Sequence, residues 1–184
     1  MRRSQRPGWR TLARLRAGEV RGCLGLEMSG SGAPMHGPLR TFGVMTMTPE
    51  QNKRAVTEAW KAFASRDPQR IHAVFTDDAE WLAPKGNATA VALDVPDHMI
   101  GSAAIAHFLV EAFPRLFVAD VEVRFSHMYC DGDTVILEER MQATLAGGRH
   151  YDNDYCFVFE LREGRIARVR EYMDTQKGRA AIFG

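Results

Sequence analysis

The 184-residue chain has only three cysteines, Cys23, Cys130 and Cys156, far apart and without a Cys-x-x-Cys pair. That spacing excludes a zinc ribbon and a disulfide framework, and it fits a reducing, cytoplasmic setting. No apolar run approaches the roughly 20 residues that span a bilayer, so no membrane partner is expected. Charge of one sign is also missing: 24 Lys and Arg against 23 Asp and Glu leave +1, which gives no global reason to bind nucleic acid. No His/Asp/Glu spacing points to a metal, no glycine loop to a phosphate, and no Ser or Cys has an evident activating partner. Neither a metal nor a cofactor is therefore expected. What is present, 45% hydrophobic and 26% charged residues, suits one globular domain with a real core.

The charge is unevenly spread. Residues 1–47 carry eight arginines against Glu19 and Glu27, a local charge of +6, which leaves −5 on the rest. This segment is rich in glycine, proline and serine and has no helical or strand period, so it reads as a disordered basic leader. No apolar stretch follows Arg2-Arg3 as an export signal requires, and nothing aromatic or repetitive supports a nucleic-acid arm. The expectation is an over-extended start, with translation beginning at Met45 or Met47.

The pattern sharpens from Thr48. Thr48-Pro49-Glu50-Gln51 reads as a capped helix start, with Val56, Ala59, Trp60, Phe63 and Ala64 on one face. Asp67-Pro68 caps a second helix facing inward through Ile71, Val74 and Phe75. A short strand at Glu80-Trp81-Leu82 ends at Pro84, and Ala88 to Asp97 reads as loop with room for a short strand. Gly101-Ser102 opens a third helix that stops near Pro114 and Phe117. Four strands follow: one through Val121, Val123 and Phe125, then Thr134 to Leu145, Tyr151 to Leu161 and Ile166 to Asp174. Asp131-Gly132-Asp133, Gly147-Gly148 and Arg162-Glu163-Gly164-Arg165 supply the turns. The fold class is α+β, three N-terminal helices packed on a curved, mainly antiparallel sheet over 48–178, with 179–184 as a C-terminal tail.

Several stretches, in this order, carry a resemblance: Phe75-Thr76-Asp77-Asp78-Ala79-Glu80-Trp81, Gly101-Ser102-Ala103-Ala104-Ile105, Tyr155-Cys156-Phe157-Val158-Phe159, and Gly164-Arg165-Ile166 through Arg170-Glu171-Tyr172-Met173-Asp174-Thr175. Together they resemble the SnoaL-like family of the nuclear transport factor 2-like superfamily, a cone-shaped fold. The resemblance implies isomerase, cyclase, dehydratase or hydrolase chemistry, or no chemistry at all, since the fold hosts many functions. In the related ketosteroid isomerases a proton-shuttling aspartate precedes the proline of the first strand. Here that residue is Ala83, and the enolate-binding tyrosine falls near Ala59, so steroid-type isomerisation lacks both groups. Against the epoxide hydrolases, Arg140-Met141-Gln142 replaces Arg-x-Asp, while Asp174 matches the second aspartate and Tyr172 stands two residues before it.

Strand parity adds an independent reading. Glu138, Arg140 and Gln142 share one face, as do Arg168, Arg170, Tyr172 and Asp174. These sets either meet in one pocket, with Arg140 keeping Asp174 ionised as a base, or form a wet outer face of cross-strand ion pairs. Asn153 and Tyr155 share a face with Phe157 and Phe159, at a pocket mouth or in the core. Trp81 and Trp60 stand as packing or ligand platforms, and His98 as a solvated loop residue or an acid–base group over the pocket. His72, His107 and His127 read as surface residues.

The expectation is therefore a pocket for a small apolar organic molecule, in a homodimer formed through the outer sheet face. Asp174, Arg140 and Tyr172 are its candidate catalytic residues, and Gln142, Asn153, Tyr155, Trp81 and His98 its candidate substrate contacts. The alternative is a ligand-binding or accessory protein of the same fold that performs no turnover.

Overall fold

The computed structural model describes residues 47–184 together with the backbone of Arg10–Leu12. The expected disordered leader over 1–47 lies outside the described residues, except at Met47 and at Arg10–Leu12, which form strand β1.

Helix α1 (Pro49–Ser65) starts as its sequence dictates. The Thr48 hydroxyl accepts from Gln51 N–H, and the Gln51 side chain accepts from Thr48 N–H, a reciprocal capping box ahead of Pro49. Val56, Ala59, Trp60 and Phe63 are buried, whereas Ala64 is half-buried. Asp67 caps α2 (Pro68–Val74) through Gln69 and Arg70 N–H, and Ile71 is its buried residue. Strand β2 (Phe75–Leu82) begins five residues earlier than the sequence implied.

The segment expected as loop holds a helix instead. In α3 (Ala88–Leu93) the Asn87 side chain accepts from Ala90 N–H, so an asparagine cap starts a helix too short for a period to reveal. His98 then lies in β3 (His98–Ile100), antiparallel to β2, rather than in a loop.

The third expected helix runs through Pro114. It consists of α4 (Ser102–His107), a π-helical turn over Phe108–Ala112, and α5 (Phe113–Leu116). Proline in a helix leaves a carbonyl without its donor and crowds the preceding turn. The wider turn just before it, in which Phe113 N–H donates to the Phe108 carbonyl five residues back, relieves that conflict.

Strands β4 (Phe117–Asp131), β5 (Thr134–Leu145), β6 (His150–Arg162) and β7 (Arg165–Met173) form an antiparallel meander. With the edge strands the sheet order is β1-β4-β5-β6-β7-β2-β3, and β1–β4 and β2–β7 are its parallel pairs. Three register shifts along the β4–β5 pair let the long ribbon curve around the helices. Residues 179–183 of the expected tail complete a helix, α6 (Thr175–Phe183), capped by the Asp174 carboxylate on Lys177 N–H and anchored by buried Ile182.

The core fills the concave side of the sheet beneath α1 and the α4–α5 helix. Trp60 sits edge-on to Phe63, Phe125 and Phe157 with centroids 5.3–5.9 Å away, and Tyr155 stacks on Phe157 at 5.6 Å.

Candidate functional site

The inner face of β5 is set by alternation. Val135, Leu137, Met141, Ala143 and Leu145 are all buried, and the residue that completes the series is Glu139, 4% exposed. On β7 the register with β6 slips between Leu161–Ile166 and Glu160–Arg168, a bulge near Ala167. Inward positions therefore shift from Ile166 to Val169, and Glu171, a half-buried residue, follows Val169 on the inner face, where it lines the cavity described next. Two carboxyls thus project into the cone from strands separated by β6, whose inner residues between them include Tyr155 and Phe157.

Both carboxyls line one cavity of about 70 Å³. Its walls are mostly aromatic and aliphatic: Trp60, Trp81, Phe113, Phe157 and Met141 among them. Its rim lies at Ala83, Thr89, Val95, Pro96 and Phe108, all with some exposure. Among the described residues, no Lys, Arg or His side chain lines it.

The electrostatics follow from that wall. The Trp81 indole N–H donates to Glu171 Oε2 at 2.8 Å, which favours the carboxylate. Removal from water disfavours it more strongly, and the Glu171 pKa rises to about 7. Glu139 is pushed well above the usual carboxyl range, first by burial and then by the Glu171 charge. Among the described residues its Oε2 has no hydrogen-bond partner, and neither does the buried Trp60 Nε1. The Tyr155 hydroxyl pairs with Tyr151 at 2.6 Å, and burial holds its pKa well above the ordinary phenol value.

A cavity carboxyl near neutrality can take or give a proton at working pH, and a protonated partner can donate a hydrogen bond to a developing oxyanion. Among the described residues, no group of three or more His, Cys, Asp or Glu side chains converges as metal ligands would, and no helix is long and apolar enough to cross a membrane.

The sequence-derived site maps onto this geometry unevenly. Trp81 and Tyr155 line the cavity. Asn153 is fully buried but bonds the Tyr151 hydroxyl at 3.1 Å and the Asp174 carbonyl at 3.1 Å, tying β6 to the start of α6. Asp174 is exposed and occupied in capping α6. Arg140 lies on the outer face and grips Asp152 through Nε at 2.7 Å and Nη2 at 2.5 Å, which lowers the Asp152 pKa to about 2. Gln142 joins the same outer pair at 3.3 Å. Tyr172 is 53% exposed, and His98 pairs at 3.0 Å with Glu80 on the half-exposed β2–β3 edge. Asp174, Arg140 and Tyr172 therefore do not meet in the cavity, because the outer-face parity chosen for β5 and β7 runs opposite to the buried one.

Glu139 and Glu171 were missed, and only the first left a clear signal: one acid within an otherwise apolar alternation. A serine does find a histidine, contrary to expectation, with Ser102 Oγ 2.7 Å from His72 Nδ1. Ser102 is only 1% exposed, and Asp77 stands 3.8 Å from the far nitrogen, so the pair locks the start of α4 rather than presenting a nucleophile.

Known proteins match in family and fold. The SnoaL-like domain family matches residues 56–169. No curated protein matches the chain. Among solved structures, TerC co-crystallised with polyporic acid is 22% identical, covering 73% of this chain and 99% of that one at a TM-score of 0.63. An LEH-like epoxide hydrolase of M. tuberculosis is 22% identical, covering 73% and 90% at 0.58. A hypothetical protein with a ketosteroid isomerase-like fold from Catenulispora acidiphila, in complex with trimethylamine, is 18% identical, covering 74% and 94% at 0.57. At these identities the likeness concerns the fold alone.

Proposed function

The chain belongs to the SnoaL-like family, and from that premise we propose that its cavity receives a small, mainly apolar organic molecule with which Glu171 exchanges a proton without a cofactor. The observation that carries this reading is a carboxyl with a pKa of about 7 in an apolar cavity, held by an indole N–H. Glu171 is the acid–base group, Trp81 fixes its orientation, and protonated Glu139 supplies a hydrogen bond where negative charge develops. Tyr155 and Phe157 shape the floor between them. Isomerisation, cyclisation, dehydration and hydrolysis all need such a proton carrier. Similar folds holding polyporic acid and trimethylamine support a small-molecule role. Half-exposed Tyr129 and Tyr172 support the outer-face homodimer expected from the resemblance.

The test is NMR of the ¹³C-labelled glutamate carboxyls, with turnover of a panel of enones, lactones and epoxides followed on the same protein. Glu171→Gln is expected to abolish turnover and spare binding. Ordinary titration of Glu171 near 4.5, with turnover intact in Glu171→Gln, would overturn the assignment. Ala83 supports a second reading, ligand binding without turnover. It lines the cavity where the resemblance implies a catalytic carboxylate. In that case Glu171→Gln changes only how affinity depends on pH.

A further inference from the structure

The solved structures hold ligands of opposite character, an acid in one and an amine in another, so the fold does not decide the charge of an occupant. The lining of this cavity does. Among the described residues its ionisable side chains are Glu139, Glu171 and Tyr155, from β5, β7 and β6, and none from the α3, α4–α5 or α1 walls is basic. An anion placed there would meet two acids and, among the described residues, no counter-charge. Glu139 is 4% exposed, lines the cavity and has one oxygen with no partner among the described residues. A buried polar atom left this way calls for a complement. The wall also carries an aromatic cluster in which Phe157 packs against Trp60, Trp81 and Tyr155 at centroid distances of 5.5–5.9 Å. Ring faces attract cations and best repay it where water is excluded.

We infer that the occupant is a small organic cation, a protonated amine or a quaternary ammonium with apolar substituents, its charge seated between Glu139 and Glu171 against the tryptophan wall. This deepens the preceding proposal and rests on its claim that the cavity is a ligand site. A cation there also holds Glu171 in its carboxylate form, ready to accept a proton from a neighbouring carbon or oxygen of the same molecule. When a quaternary ammonium binds to the protein with Glu171 protonated, one proton leaves that carboxyl for solvent and the cavity stays near neutral.

The experiment uses two probes of nearly one shape, phenyltrimethylammonium and tert-butylbenzene. Both are titrated into the full chain at pH 8 while the tryptophan indole N–H signals are followed by NMR. The expected result is binding of the cation at least about tenfold tighter than of the hydrocarbon. That preference should vanish in Glu139→Gln/Glu171→Gln, whose far-ultraviolet circular dichroism is checked against the parent. Equal or tighter binding of tert-butylbenzene by the parent overturns the cation inference and leaves the ligand-site reading standing. Binding of neither probe overturns both. Retention of the cation preference in the double variant overturns the seat between the two acids.

Discussion

Exchanging Glu171 for glutamine should remove a pH-dependent burden on the folded state. In the unfolded chain this carboxyl titrates near 4.5, and in the folded chain at about 7. The folded state therefore holds the proton more tightly. The stability this confers is complete below about pH 4.5 and is lost as pH rises through about 7. At 1.36 kcal/mol per unit, the loss between about pH 5 and pH 8 comes to about 2.5 kcal/mol, an upper bound if the cavity holds water. Glutamine has a similar shape, can still accept from the Trp81 indole and does not titrate. Urea unfolding followed by fluorescence of the buried Trp60 and Trp81 should be run on both proteins at several pH values across that range. Glu171→Gln is expected to be roughly as stable as the parent at pH 5 and more stable by about 2 kcal/mol at pH 8, with an unchanged denaturant slope. Parallel stability curves for the two proteins would refute the buried-carboxyl reasoning, because every other titrating group is common to both.

Four further outcomes follow from the same geometry. Glu139→Leu should raise stability at pH 7 by about 1 kcal/mol or more, since it removes a buried carboxyl whose Oε2 has no partner among the described residues, and chemical denaturation reads this directly. Asp174→Ala should cost about 1 kcal/mol through loss of the α6 cap and leave the affinity of any cavity ligand unchanged; a large affinity loss would return Asp174 to the site. Arg140→Ala should cost under about 1 kcal/mol, and NMR should show the Asp152 pKa moving up from about 2 toward its ordinary value of 3.8. Phe157→Ala, which empties the space between Trp60, Trp81 and Tyr155, should cost about 3–5 kcal/mol in thermal or urea unfolding.

Much of the scaffold was legible because strong local signals agreed with the tertiary fold. Thr134 to Leu145 was bounded by turns on both sides and emerged with those ends, and the Thr48 capping box set the start of α1. The misses have separate causes. Helix α3 is six residues long, less than two turns, and depends on an asparagine cap rather than a period. Helix α6 straddles the boundary drawn at 178 and contains Gly178, where a Cβ would stand 3.3 Å from Asn153 Nδ2, so close packing on β6 favours the small residue.

The site was harder to read than the fold. Parity on β5 was visible, with Glu139 inside an apolar series, but the likeness of Arg140-Met141-Gln142 to the Arg-x-Asp motif drew the assignment to Arg140 and Gln142. On β7 parity could not be carried through, because the bulge near Ala167 moves Glu171 inward and Tyr172 outward, and a bulge leaves little trace in a single sequence.

The π-helical turn gives the cavity wall an unusual kind of adjustability. Phe108 and Phe113, five residues apart, meet at a centroid distance of 6.2 Å and both line the cavity, a spacing that suits a wide turn better than a regular helix. Removing one residue from 108–112 would restore the regular period and rotate one of the two rings off the wall, while Glu139 and Glu171 stayed in place on their strands. A single in-frame codon deletion could thus resize the chamber without touching its chemistry, a route by which related chains could come to accept bulkier guests.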